Sequence, residues 1–249
     1  MKAQLRAELF KQRSTRTVVG LWAAMLILIL FAVLLHGLGI AARDLNTSSQ
    51  QLTRLFGPGE KLGVVFAGLL GALAMTGEIR HGTIRPTFLV TPQRNPVIAA
   101  KVWATMLIGA GFGLCAGALA AGAGAAALET RGIQVQLSVG DYALFIAGSA
   151  GAAALWAAIG VGVGAIVRNQ VPTIIGICAW LLFVEGLLIG DVADVGDVGR
   201  FAPGAAAAAL TGQDPDKLLA PAAGIGLLAL YAAALALAGA LATTRRDVP

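Results

Sequence analysis

The chain has 249 residues, of which 57% are hydrophobic and only 12% charged, against roughly 25% charged in soluble domains. Mean hydropathy is +0.81 and is carried by long apolar runs, which excludes a soluble globular fold and places the chain among integral membrane proteins. The net charge of +5 is no argument for nucleic acid, because the basic residues divide by membrane side.

The N-tail "MKAQLRAELFKQRSTRT", residues 1–17, is made of helix formers, with Met1, Leu5 and Leu9 at i, i+4 and i+8 and Phe10 beside them. Basic residues surround the rest, and Glu8 can pair with Lys11 at i+3. This pattern predicts an amphipathic helix lying in the headgroup layer. The first apolar run, Val18–Leu38, is longer than the 7–15 residues of a signal-peptide core and reads as a retained anchor.

A helical span needs ~20 apolar residues. Five further segments meet or approach that length: Leu62–Gly77, Val102–Leu128, Tyr142–Val167, Val171–Ile189 and Pro221–Thr243. The second span, Leu62–Gly77, is short, although Lys61 can snorkel and extend it by a turn. The third and fourth are long enough to tilt or to run past the bilayer. Only Arg168-Asn169-Gln170 separates the fourth from the fifth, which predicts a tight helix–helix turn. The expected fold class is therefore an all-α integral membrane protein, a single transmembrane domain over 1–249, with spans 1–5 in 18–189, an external segment at 190–217 and span 6 at 221–243. Six spans put both termini on one side.

The charges say which side. The N-tail, the loops 78–101 and 168–170 and the C-tail hold twelve of the 18 Lys and Arg residues. That side carries only Glu8, Glu78 and Asp247 as acids, whereas nine acids lie on the other. Excess Lys and Arg mark the cytoplasmic side, so both termini are expected in the cytoplasm and the protein in the cell membrane.

"GEIRHGTIRPTFLVTPQRNPVIAAK", Gly77–Lys101, is the most informative polar insert and carries four basic residues. Gly82 breaks the end of the second span. Thr83 is then a plausible N-cap, and Pro86 falls in the first helical turn, where its missing N–H costs nothing. Ile84, Phe88 and Leu89 share a face, and Thr91-Pro92 ends the helix. A helix of about two turns is unstable alone in water, so its apolar face, with Arg85 and Arg94 nearby, predicts a docking surface.

Other residues carry weaker signals. Glu185, in "LLFVEGLLIG", is the one acid inside an apolar run; it reads either as a carboxyl satisfied at the outer interface or as a pathway or gating group. Asp191, Asp194 and Asp197 lack the spacing of a calcium loop and read as a solvated external edge. Gly109, Gly113 and Gly117, with Gly160 and Gly164, license close helix packing. His36 and His81 are single. Cys115 and Cys178 read as buried free thiols. Nothing resembles a nucleophile–base set, a metal cluster or H-E-x-x-H, so no catalytic, cofactor-binding or metal-ligating residue is expected in this chain.

The loop resembles the segment after the second span of type-2 ABC transporter permeases, roughly E-x3-G-T-x-R, a Pro-and-Arg pair, then Lys at the start of the third span. Here these are Glu78, Gly82, Thr83, Arg85, Pro92, Arg94 and Lys101. "ELFKQRSTRT" is similar to that family's amphipathic first helix, and "RFAPGAAAAALTG", Arg200–Gly212, to the Pro-Gly-small stretch before its last span. The resemblance covers nearly the whole chain. It implies a non-catalytic permease subunit that pairs with a second permease chain, identical or not, and with two copies of a cytoplasmic ATPase. ATP and Mg would be bound by that partner, since this chain has no G-x4-G-K-[ST]. The ATPase contacts would be Glu78, Arg80, Gly82, Thr83, Arg85, Phe88, Arg94 and Lys101. The external segment would form short, partly re-entrant helices. The implied activity is export of a hydrophobic or amphipathic substrate. An ion-coupled carrier using Glu185 and a non-transporting scaffold or immunity-type protein are the alternative readings.

Overall fold

A computed structural model of the chain describes residues 2–38, 45–83, 86, 94–189 and 196–245. The expected loop helix, with Ile84, Arg85, Phe88, Leu89 and Pro92, lies outside the described residues, as do Asp191 and Asp194. The side chains of Arg94 and Asp197 also lie outside them.

All regular structure among the described residues is helical. Helix α1 is Lys2–Arg13 and α2 Arg16–Leu38. Helix α3 runs Ser48–Arg80, α4 Arg94–Thr130 and α5 Val139–Val167. Helix α6 covers 170–189, α7 is Pro203–Leu210 and α8 Pro221–Arg245. Six of these, α2 to α6 and α8, are long and apolar enough to cross a membrane, at the places the apolar runs predict.

The second span differs from expectation. It is not a short helix at Leu62–Gly77 but 33 residues long. Thr47 opens it with a capping box, its hydroxyl taking the Gln50 N–H while the Gln50 side chain takes the Thr47 N–H. The chain then winds through a π-helical stretch, Gln51–Phe56, before Gly57-Pro58. A regular helix would break at Pro58, whose ring and missing N–H conflict with the preceding turn; the wider winding directly before it accommodates both. Gln51, fully buried, donates to the carbonyls of Leu45 and Gln134 at 3.0 and 2.9 Å and accepts the Gln136 N–H, tying this end of α3 to the α4–α5 connection.

The expected tight turn is present. Arg168 takes a left-handed conformation, φ 59°, and Asn169 caps α6 by accepting the Val171 N–H. Beyond α6, a 3-10 turn at Gly196–Phe201 precedes α7, so short helices lie between α6 and α8.

Helix α5 sits at the centre and packs on α3, α4 and α8. In the apolar windows of α3 and α5, 61% of residues are buried, against 17% in α2 and α8. The outer helices therefore turn Ile27, Phe31, Leu230 and Leu237 outward, as lipid contact allows. Between the helices the core is aromatic and alanine-rich: Trp22 packs on Phe112 with ring centroids 4.5 Å apart, and Phe56 on Phe145 at 5.9 Å. The glycine stripes serve contacts within this chain. A Cβ at Gly113 of α4 would overlap the Ser149 carbonyl of α5, and one at Gly160 of α5 the Gly68 carbonyl of α3. Without a hydrophobic drive between helices in lipid, such backbone approach is what holds them. Cys115 and Cys178 are free and, contrary to expectation, only partly buried.

This packing makes a specific prediction. Gly160→Val forces α5 off α3 and should cost at least about 1–3 kcal/mol, whereas Gly176→Val, with nothing within 4 Å of the added carbon, should be neutral. Thermal unfolding of the two purified variants in detergent tests this; equal tolerance of both would refute the close approach.

Candidate functional site

The last turn of α3 and the first turns of α4 bracket the 81–93 loop, and α1 lies across the start of α4. Four charged side chains meet there. The Lys101 Nζ donates to Glu8 Oε2 at 2.7 Å and to Glu78 Oε1 at 2.9 Å. Lys11 Nζ donates to Glu8 Oε1 at 2.9 Å and to Glu78 Oε1 at 3.1 Å. Lys101, Glu8, Lys11 and Glu78 thus close a ring in which each ion has two neighbours of opposite sign. Residues from three elements, up to 93 apart in sequence, form one neutral unit.

Neutrality is what permits burial. Lys101 is 2% exposed and Glu8 4%. Burial by itself pushes the Glu8 carboxyl up, but Lys101, and then Lys11, outweigh it and hold the group below its ordinary value of 4.5. Burial likewise pulls Lys11 down, and Glu8 and Glu78 more than reverse it, leaving the amine above 10.5. The expected Glu8–Lys11 pair is present; its extension to Lys101 and Glu78 was not anticipated. The signal available in the sequence was that the basic side has so few acids, of which Glu8 lies in the N-tail and Glu78 at the start of the segment that ends at Lys101.

The other residues assigned to partner contact distribute as follows. Arg80 is exposed and donates to the Gln170 side chain at 3.3 Å, joining the end of α3 to the start of α6. Gly82 ends α3 in the left-handed conformation, φ 67°, as its position predicts. Thr83 lines a cavity with Glu78, His81 and Lys101. Glu78 and Lys101 are held inside the ring, so they brace the loop's two roots. His81 bonds its own helix through the Gly77 carbonyl.

A second polar cluster occupies the opposite end. Glu185, 3% exposed, follows the π-helical stretch Trp180–Val184. Its carboxylate accepts the Trp180 indole N–H and the Gly204 backbone N–H, the latter at 2.8 Å. Gly204 is the first available donor of α7, since Pro203 has none, and a side chain at Gly204 would overlap the carboxylate. The carboxylate is thus set against a helix N-terminus, which favours negative charge. Glu60, in the upstream part of α3 that the sequence did not reveal, is 4% exposed and accepts from Gln213 Nε2 at 3.2 Å. Both carboxylates line a cavity of about 480 Å³ with Lys61 and Lys217.

The ring predicts unequal costs for its two amines. Lys101→Met leaves the buried Glu8 and the part-buried Glu78 carboxylates without their most enclosed partner and should destabilise the fold by about 3–5 kcal/mol. Lys11→Met removes an amine whose side chain is 46% exposed and should cost about 0–1 kcal/mol; chemical or thermal unfolding in detergent compares them. The pH dependence has a definite sign. Because the folded value of Glu8 is depressed, its stabilisation is present above pH 4.5 and is lost as pH falls through that lower value. Because the folded value of Lys11 is raised, its stabilisation is complete below pH 10.5 and is lost as pH rises through it. Amide hydrogen exchange in α1, corrected for intrinsic rates, should therefore show protection between these limits and its loss at acid pH; protection unchanged below pH 4 would contradict the ring. No family model matches the chain, and no curated protein matches it.

Proposed function

We propose that this chain is the membrane-spanning permease subunit of a type-2 ABC transporter, an exporter of a hydrophobic or amphipathic substrate in the cell membrane. It works with a second permease chain and with separate cytoplasmic ATPase subunits, which bind ATP and Mg and dock on Gly77–Lys101. The order of motifs in the sequence and the six membrane-length helices support this reading.

The observation that carries it is the ring. A loop that relays force from a soluble motor must be rooted stiffly, or the motion is absorbed locally. Glu78 at one root and Lys101 at the other are bonded to each other and to α1. Displacement of the loop therefore moves α1, α3 and α4 as one body, a rigid-body mode of the kind that switches access. The charge bias of the sequence puts this end in the cytoplasm.

An ion-coupled carrier is the second reading, favoured by one observation: Glu185 lines the cavity at the far end. Its oxygens are already engaged by Trp180 and Gly204, which weighs toward a fixed structural carboxylate.

Purification of the tagged chain from its own membranes in mild detergent should bring down a stoichiometric ATPase. In the reconstituted complex, Arg85→Glu should abolish ATP-driven transport while thermal unfolding of the membrane chain stays unchanged. A chain that purifies alone and moves solute with protons, in a manner lost in Glu185→Gln, would replace this proposal with the carrier.

A further inference from the structure

Between α1, the start of α2 and the last turns of α3 lies a cavity of about 510 Å³. One wall is apolar, formed by Val18, Leu21, Leu70 and Leu73, and another is polar, formed by the ring and Gln12. Gln12 is 6% exposed, yet among the described residues neither its amide nitrogen nor its carbonyl oxygen has a hydrogen-bond partner. The second carboxylate oxygen of Glu78, Oε2, is buried and unpartnered as well. Folded proteins leave few buried polar atoms unpaired. Here one donor and two acceptors are left so around a single cavity.

We propose that this cavity binds the headgroup and first acyl carbons of an ethanolamine phospholipid. The ammonium donates to Glu78 Oε2 and Gln12 Oε1, and the phosphate accepts from Gln12 Nε2. The acyl chain runs along Val18, Leu21, Leu70 and Leu73 toward the membrane interior. The choice of headgroup follows from the charges. The ring is already neutral, so an anionic lipid adds an unbalanced charge beside Glu78, which is costly at a buried site. A choline headgroup is neutral overall but has no N–H to give the carboxylate. Water can pair with Gln12 but leaves the apolar wall unfilled. This assignment rests on the cavity and its unpaired atoms and is independent of the ATPase partnership.

Native mass spectrometry of the full chain, delipidated and then offered phosphatidylethanolamine, phosphatidylcholine or phosphatidylglycerol at equal concentration, tests it. The ethanolamine lipid should be retained about tenfold over either competitor, the ratio a charge-assisted hydrogen bond supplies. Gln12→Leu removes the unpaired amide at nearly constant size, so it should unfold at a higher temperature in lipid-free detergent than the parent chain. The same variant should lose most of the ethanolamine preference and the thermal shift that this lipid produces. Leu73→Trp, which fills the apolar wall, should reduce retention of the ethanolamine lipid. Equal retention of the three lipids by the parent chain, or an undiminished preference in Gln12→Leu, would overturn the proposal. Retention of no lipid, with Gln12→Leu no more stable than the parent, would mean that water alone satisfies the site, and would overturn it equally.

Discussion

The closed ring of Lys101, Glu8, Lys11 and Glu78 is the constraint on which the α1 end of the molecule depends. Helix α1 has little apolar reason to dock: Phe10 is 75% exposed, and the buried residues of the helix are Glu8 and Gln12. What brings it to α4 is charge neutralisation. An isolated buried ion is expensive, and a single buried pair barely offsets its own desolvation. A ring gives each ion two partners, which is why Lys101 and Glu8 can both be almost fully enclosed. The amphipathic pattern read from the N-tail thus describes a helix with two attachments, an electrostatic one to the bundle and an outward apolar edge at Phe10 suited to lipid.

The two ends of the bundle solve the same problem differently. At the α1 end, carboxylates meet ammonium groups. At the other, Glu185 meets the N-terminus of α7 and an indole, and Glu60 meets the amide of Gln213. The first arrangement ties together segments that flank a loop. The second ties α6 to α7 and α3 to the chain beyond α7, so it fixes α7 against the long helices. Between them, α5 is held by backbone approach at glycines and alanines, contacts that lack strong direction along the helix axis. Polar attachments at both ends therefore set the axial register that small-residue packing leaves open.

Much of this architecture was legible in the sequence because it is local. Apolar length marked the six spans, Gly82 marked the end of α3, and Arg168-Asn169-Gln170 marked the turn between α5 and α6. The upstream part of α3 was hidden for a physical reason: Gly57, Pro58 and Gly59 are residues that break regular helices, and nothing in periodicity foretells a π turn that absorbs a proline. That concealment carried Glu60 with it, since a carboxyl in a loop raises no question and one inside a helix does. The ring was only half visible. Glu8 and Lys11 are three residues apart, but Lys101 lies 93 residues from Glu8 and Gln213 lies 153 from Glu60. Pairings of that span follow from how helices assemble, which is information no window of sequence contains.

The ring and the lipid cavity share atoms, and that sharing has a thermodynamic consequence. Glu78 gives Oε1 to Lys101 and Lys11 and presents Oε2 to the cavity. Any displacement of the loop roots that moves Glu78 alters both the ring and the site offered to a headgroup. By linkage, if loop displacement weakens headgroup binding by some factor, a bound headgroup opposes that displacement by the same factor. The direction is set by geometry: Gln12 and Glu78 lie on different helices, so a headgroup spanning both favours the docked position of α1. On the proposed reading of the chain, an ethanolamine lipid then holds the membrane helices in the conformation described here, and the partner ATPase must work against that hold as well as against the ring.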